Sequence, residues 1–129
     1  MKLITKDIEN RFAQIGYQGN EIDPVVVAKF FNPCGAGTWY AIDYEPERKI
    51  CHGYVTGLGF DEWGDFSIEE LESVMCPPLN LPIERDLYFR ESMKISEACP
   101  ELKESIDRRK QLRELEQEGD LSDTHEPER

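Results

Sequence analysis

The chain has 129 residues, within the usual size of one domain, and its 15 Lys+Arg against 27 Asp+Glu leave a net charge of −12. The length argues against a multidomain enzyme. The acidity argues against a general DNA or RNA groove-binder, which draws its affinity from clustered Lys and Arg. The 17 acidic and 9 basic residues before Pro100 carry −8 of the charge, and the 10 acidic and 6 basic residues from there on carry −4. No stretch approaches the roughly 18 apolar residues needed to cross a bilayer, and Met1 to Asp7 has no apolar run behind its two lysines, so a cytoplasmic protein is expected. Cys34, Cys51, Cys76 and Cys99 form no Cys-x-x-Cys knuckle and read as reduced thiols.

The first predicted element is a helix from Lys6 to Ile15, where Ile8, Phe12 and Ile15 recur on one face and Gly16 supplies a stop. Val25 to Phe31 is β-branched and aromatic and reads as one strand. Asn32 to Gly37 breaks the chain, and Thr38 to Tyr44 is the next strand. Glu45 to Lys49 forms a charged hairpin turn, and Ile50 to Leu58 is a third strand, giving an antiparallel meander. Gly59 to Asp65 is expected as a loop holding Trp63. Ser67 and Glu70 have the form of a capping box that opens a helix from Ile68 to about Met75. Cys76-Pro77-Pro78 ends it, Pro82 to Asp86 reads as a turn, and Leu87 to Phe89 as a last short strand.

Beyond Phe89 the pattern weakens. Met93, Ile95, Ala98 and Cys99 offer one narrow apolar face, and Pro100 sits at the favoured first-turn position of a further helix. That helix should be mostly solvated, because Arg109 and Arg113 interrupt the stripe begun by Leu102 and Ile106. The expected architecture is α+β: a small antiparallel sheet of three to four strands packed with two short helices, plus a C-terminal charged helix. The expected divisions are 1–90 for the domain, 91–118 for a helical extension and 119–129 for a disordered tail.

Several segments, Lys2-Leu3-Ile4, Pro24 to Phe31, Gly37 to Ala41, Gly64 to Ser67, Glu70-Leu71-Glu72 and above all Leu81-Pro82-Ile83-Glu84-Arg85-Asp86-Leu87-Tyr88-Phe89, together resemble the bacterial family of unknown function DUF2958. The resemblance covers about Lys2 to Phe89. It implies no activity, since the family has none assigned. Members tend to be encoded on mobile elements, which implies by analogy a role accessory to DNA transfer or to evasion of host defence.

Three constellations are candidates for chemistry. Cys51 and His52 are neighbours in a strand and point to opposite faces, so a thiol–imidazole pair would need Cys34 to approach His52 across a hairpin; zinc held by Cys34, Cys51, His52 and Cys76 would lack a knuckle. The alternative is that the cysteines are small core residues. Asp61, Glu62 and Asp65, with Glu84 and Asp86, would form a magnesium or acid–base site if the Trp63 loop folds beside the later segment. Otherwise Arg85 pairs with a half-buried carboxylate and locks its turn. Trp39, Tyr40, Tyr54 and Trp63 would form an exposed protein-binding patch unless helices cover both sheet faces.

No catalytic residue, metal ligand or cofactor is assigned. The expected role is noncatalytic binding of a protein partner through an acidic surface, in one version as a DNA mimic; the alternative is a small divalent-metal enzyme built on the five carboxylates. Direct nucleic-acid binding would rest on Arg108, Arg109, Lys110 and Arg113 alone, among many carboxylates, and is not expected. Neither is a membrane role.

Overall fold

The computed structural model describes residues 1–89 and 93–122, with side chains through residue 118. Helix α1 spans Lys6–Ile15 as its periodicity predicts. Thr5 Oγ1 accepts from the Ile8 amide at 3.3 Å at its start. At its end Gly16, at φ 78°, donates its amide to Phe12. Ile8 and Phe12 are buried, while Ile15 is left exposed.

Five strands form one antiparallel sheet in the order β5-β4-β3-β2-β8. They are β2 (Ala28–Phe31), β3 (Thr38–Glu45), β4 (Ile50–Thr56), β5 (Glu62–Ser67) and β8 (Glu84–Arg85). The sheet is therefore larger than the three to four strands expected, because both of its edges come from segments that read as loop or turn. β5 replaces most of the expected Trp63 loop. Its two exposed acids and Gly64 dilute the apolar alternation, yet an edge strand tolerates them, since only one of its sides pairs. β8 pairs with Phe30 and Phe31 at the other edge. Leu87 to Phe89, expected as a strand, instead belongs to a turn that begins at Asp86, whose Oδ1 accepts from the Tyr88 amide at 2.9 Å.

The single strand expected over Val25 to Phe31 is divided. β1 (Val25–Val26) pairs with β9 (Met93–Lys94), and Val27 turns its amide to the Ala41 carbonyl at 2.9 Å before β2 begins. β6 (Met75–Cys76) and β7 (Leu81–Pro82) form a separate small ladder. Helix α2 covers Ile68–Ser73, and Ser67 Oγ accepts from the Glu70 amide at 3.1 Å, so the serine half of the expected capping box is present.

Strand alternation sends β3 side chains to two different cores. Trp39 and Ala41 join Leu3, Ile4, Ile8, Phe12, Ile68, Leu71 and Cys51 under α1 and α2. Tyr40 and Ile42 join Val26, Tyr54, Ile95, Cys99, Leu102 and Ile106 on the opposite face. The segment after residue 90 is thus built into the second core through α3 (Ile95–Ala98), a 3-10 turn (Pro100–Leu102) and the start of α4 (Lys103–Ser122). Asp23 fastens it, with Oδ1 accepting from the Ser96 amide at 3.0 Å and Oδ2 from the Ser96 hydroxyl at 2.6 Å. Lys110 still reaches Asp23 Oδ2 at 3.4 Å, but from residue 111 to 118 the side chains of α4 are exposed, Leu112 and Leu115 among them, as the broken stripe predicts. The helix continues to Ser122, past the expected start of the tail at 119; residues 123–129 lie outside the described residues. No helix among the described residues is long and apolar enough to cross a membrane.

Candidate functional site

The two carboxylate segments do not converge. Asp61, Glu62 and Asp65 belong to the β5 edge, and Glu84 and Asp86 to the β8 edge, with β4, β3 and β2 between them. Four inter-strand steps of about 4.8 Å separate the edge strands by roughly 19 Å, too far to share an ion or a substrate proton. Local partners engage three of the five: Asp61 Oδ1 accepts from the Gly57 amide at 3.0 Å, Asp65 Oδ1 meets His52 Nδ1 at 2.8 Å, and Asp86 faces Lys29 Nζ at 3.6 Å. Among the described residues no group of three or more His, Cys, Asp or Glu is placed to hold a metal ion. Arg85 does lock a chain segment, but its partners are not carboxylates. Its Nη1 donates to the Lys2 carbonyl at 2.6 Å and the Leu3 carbonyl at 3.2 Å, tying the N-terminal segment to the β8 edge.

Nor do the four aromatics form an exposed patch. Trp39, Tyr40 and Tyr54 are each less than a tenth exposed, because α1 and α2 cover one face of the sheet and the C-terminal segment covers the other. Trp63 is half-buried, edge-on to Tyr54 at a centroid separation of 5.1 Å. The strongly exposed aromatics are Tyr17, Phe60 and Tyr88.

Cys51 and His52 face opposite sides of β4, as adjacency in a strand requires. Cys51 is fully buried, and burial first, then the nearby Asp43 charge, pushes its thiol well above the ordinary range, leaving an inert core residue. Cys34 lies in the turn beyond Thr38, and His52 pairs with Asp43, five residues along β3 from Thr38. At about 3.3 Å per residue the gap is roughly 16 Å, so neither the thiol–imidazole pair nor the four-residue zinc set is formed.

What the fold does assemble is a different group. The β4–β5 register sets His52 beside Asp65, with Nδ1 and Oδ1 2.8 Å apart, and the β3–β4 register sets Asp43 on the other side of His52. Asp43 follows a bulge between Ala41 and Asp43 that resets the ladder. Its Oδ1 accepts from the Gln18 amide at 3.0 Å, and its buried Oδ2 has no hydrogen-bond partner among the described residues. Burial raises the Asp43 carboxyl above its ordinary value, partly offset by the Gln18 bond and by His52.

These residues border a cleft of about 470 Å³ between α1 and the β3–β4 turn, lined also by Glu9, Tyr17, Tyr44, Glu45 and Arg48. Four carboxylates face one arginine, and that arginine is already paired with Glu45 at 2.7 Å. With aromatic walls and excess negative charge, the cleft suits a cationic side chain. Sequence alone could not reveal it, because Asp65 lies thirteen residues from His52 and meets it only once the β4–β5 register exists.

The sequence model of one family, described as proteins of unknown function (DUF2958), matches residues 3–105. The chain belongs to this family. The DUF2958 match extends past Phe89, where the sequence resemblance was expected to stop, and takes in the Ile95, Cys99 and Leu102 contributions to the second core. No curated protein and no solved structure matches the chain.

Proposed function

We propose that this DUF2958 member is a noncatalytic, cytoplasmic protein-binding domain that recognises a basic partner through its acidic surface. The observation that carries the reading is the cleft's charge balance: Glu9, Asp43, Glu45 and Asp65 line it against the single cation Arg48, itself paired with Glu45, with Tyr17 and Tyr44 as walls. The −8 of the residues before Pro100 supports it. The His52–Asp65 pair is open to water, with side chains 44% and 69% exposed, which favours recognition over proton-transfer chemistry that depends on a dry site. In the host-defence form of this proposal, the partner is a DNA-binding protein whose basic groove the carboxylates occupy.

Capture of the partner by the immobilised chain at about 50 mM and about 500 mM salt tests the reading, since charge-built affinity falls steeply with screening. Retention that does not change with salt sinks it. Displacement of the captured partner by duplex DNA supports the mimic form, and capture undisturbed by DNA removes that form.

A further inference from the structure

The β5 edge carries a second feature, which shares Asp65 with the cleft. On the face covered by α1 and α2, β5 contributes Glu62, Gly64 and Phe66; on the other face it contributes Trp63 and Asp65. Gly64 lies opposite Gly53. A Cβ at Gly53 would collide with the Tyr40 carbonyl oxygen, whereas a Cβ at Gly64 would meet nothing within 4 Å. The paired glycines therefore leave a furrow between two rows of side chains, Trp39-Val55-Glu62 on one side and Tyr44-Cys51-Phe66 on the other.

Leu58 and Phe60, from the loop before β5, line the same groove of about 260 Å³ with Trp39, Val55 and Phe66. Phe60 is 80% exposed and Leu58 56% exposed, although each stands beside apolar walls. β5 itself is the terminal strand of the sheet, so one side of its backbone lacks a strand partner among the described residues.

We propose that β5 accepts an extended segment of a partner as a sixth strand, one in which apolar and basic residues alternate. Residues opposite one another in neighbouring strands share a face. The partner's residues beside Gly64 and Phe66 enter the apolar furrow, and those beside Asp65 meet its carboxylate on the opposite face. Charge selects the occupant. Asp61, Glu62 and Asp65 are exposed; His52 meets Asp65 and the Gly57 amide meets Asp61, but no Lys or Arg of the described residues forms an ion pair with any of the three. A second copy of the chain would bring the same carboxylates against one another, so edge-to-edge self-pairing is disfavoured and a basic strand is favoured. The inference rests on the basic-partner reading and names where and in what conformation the partner binds.

The test uses a fluorescent ten-residue peptide alternating valine with lysine, titrated into the full chain and read by anisotropy. Controls alternate serine with lysine, or carry a central proline. The valine–lysine peptide is expected to bind saturably, and both controls to bind about tenfold more weakly or less. Gly64→Val places its side chain in open space, so it should retain the wild-type circular dichroism spectrum and melting temperature while weakening the valine–lysine peptide about tenfold. Phe60→Ser should weaken it in the same direction. If the serine–lysine peptide binds as well as the valine–lysine one, or Gly64→Val leaves affinity intact, strand addition is overturned and the acidic-surface reading stands. If no lysine peptide binds, both fall. Sedimentation of the chain as a dimer that Gly64→Val dissociates also overturns the proposal, by giving the edge to a second copy.

Discussion

Replacing Gln18 with alanine removes a polar staple from a region that carries the candidate cleft. Gln18 is 5% exposed. Its Nε2 donates to the Val25 carbonyl at 2.8 Å and the Ile42 carbonyl at 2.9 Å, and its Oε1 accepts from the Val25 amide at 2.8 Å. One side-chain amide thus ties the loop before β1 to β1 itself and to β3 beside its bulge. Alanine strands one donor and two acceptors. An orphaned buried group costs about 1–3 kcal/mol, and a carbonyl less than an amide because its two lone pairs are rarely all used. The sum is about 3–5 kcal/mol, a large share of the roughly 5–15 kcal/mol that holds a typical domain together. At about 4 °C per kcal/mol for a chain of this size, Tm should fall by about 12–20 °C.

Urea denaturation gives the free energy directly, and Gln18→Met serves as the control that keeps side-chain length without the bonds. The methionine variant should lose nearly as much as the alanine one. An alanine variant within about 1 kcal/mol of wild type, or a methionine variant that restores it, would refute the hydrogen-bond reasoning.

Three further outcomes follow from the same structure. At Asp23, burial alone would raise the carboxyl, but the two Ser96 bonds and the Lys110 charge at 3.4 Å together outweigh it and hold it below its ordinary value. A lowered folded-state pKa contributes stability that is present above the unfolded value and lost as pH falls through the folded one. The urea-midpoint advantage of wild type over Asp23→Asn should therefore hold at about pH 6 and shrink below about pH 4; a gap that is constant with pH contradicts this.

Ile106, 1% exposed, packs in the second core, so Ile106→Ala should cost about 2–4 kcal/mol in equilibrium unfolding. A loss under about 0.5 kcal/mol would show that the C-terminal segment is not part of the cooperative fold. Because Arg85 serves two carbonyls from a single Nη1 and not a carboxylate fork, Arg85→Lys should melt within a few degrees of wild type while Arg85→Ala loses about 1–2 kcal/mol. Equal losses in both variants would show that the fork geometry matters after all.

Central elements were legible in the residues because their signals are local. The Ile8–Phe12 spacing and Gly16 mark α1, and the apolar content of β3 and β4 survives any choice of neighbour. Alternation in a strand sends Trp39 and Tyr40 to opposite faces; what it could not say is that both faces are covered, since that depends on where α1, α2 and the Ile95–Ile106 segment dock. The edges were illegible for a physical reason. A strand paired on one side needs little apolar alternation, so the start of Glu62–Ser67 fell within the loop expected over Gly59 to Asp65, and Glu84–Arg85 within a turn. The cleft was illegible because it depends on strand register: His52, Asp65 and Asp43 are separated in the chain and meet only through the β3–β4–β5 ladder. Gln18 carries no sequence signal at all, being a single polar residue in a polar stretch whose side-chain partners, Val25 and Ile42, lie in later strands.

Residue-resolved amide hydrogen exchange of the full chain, with and without the valine–lysine peptide, tests most directly whether this domain binds a basic strand at its acidic edge. Addition of a sixth strand should slow exchange at alternate amides within Glu62–Ser67, those directed away from β4, while amides already paired to β4 change little. Unchanged exchange throughout β5 at saturating peptide, or slowing confined to α1 and the β3–β4 turn around the cleft, would contradict it.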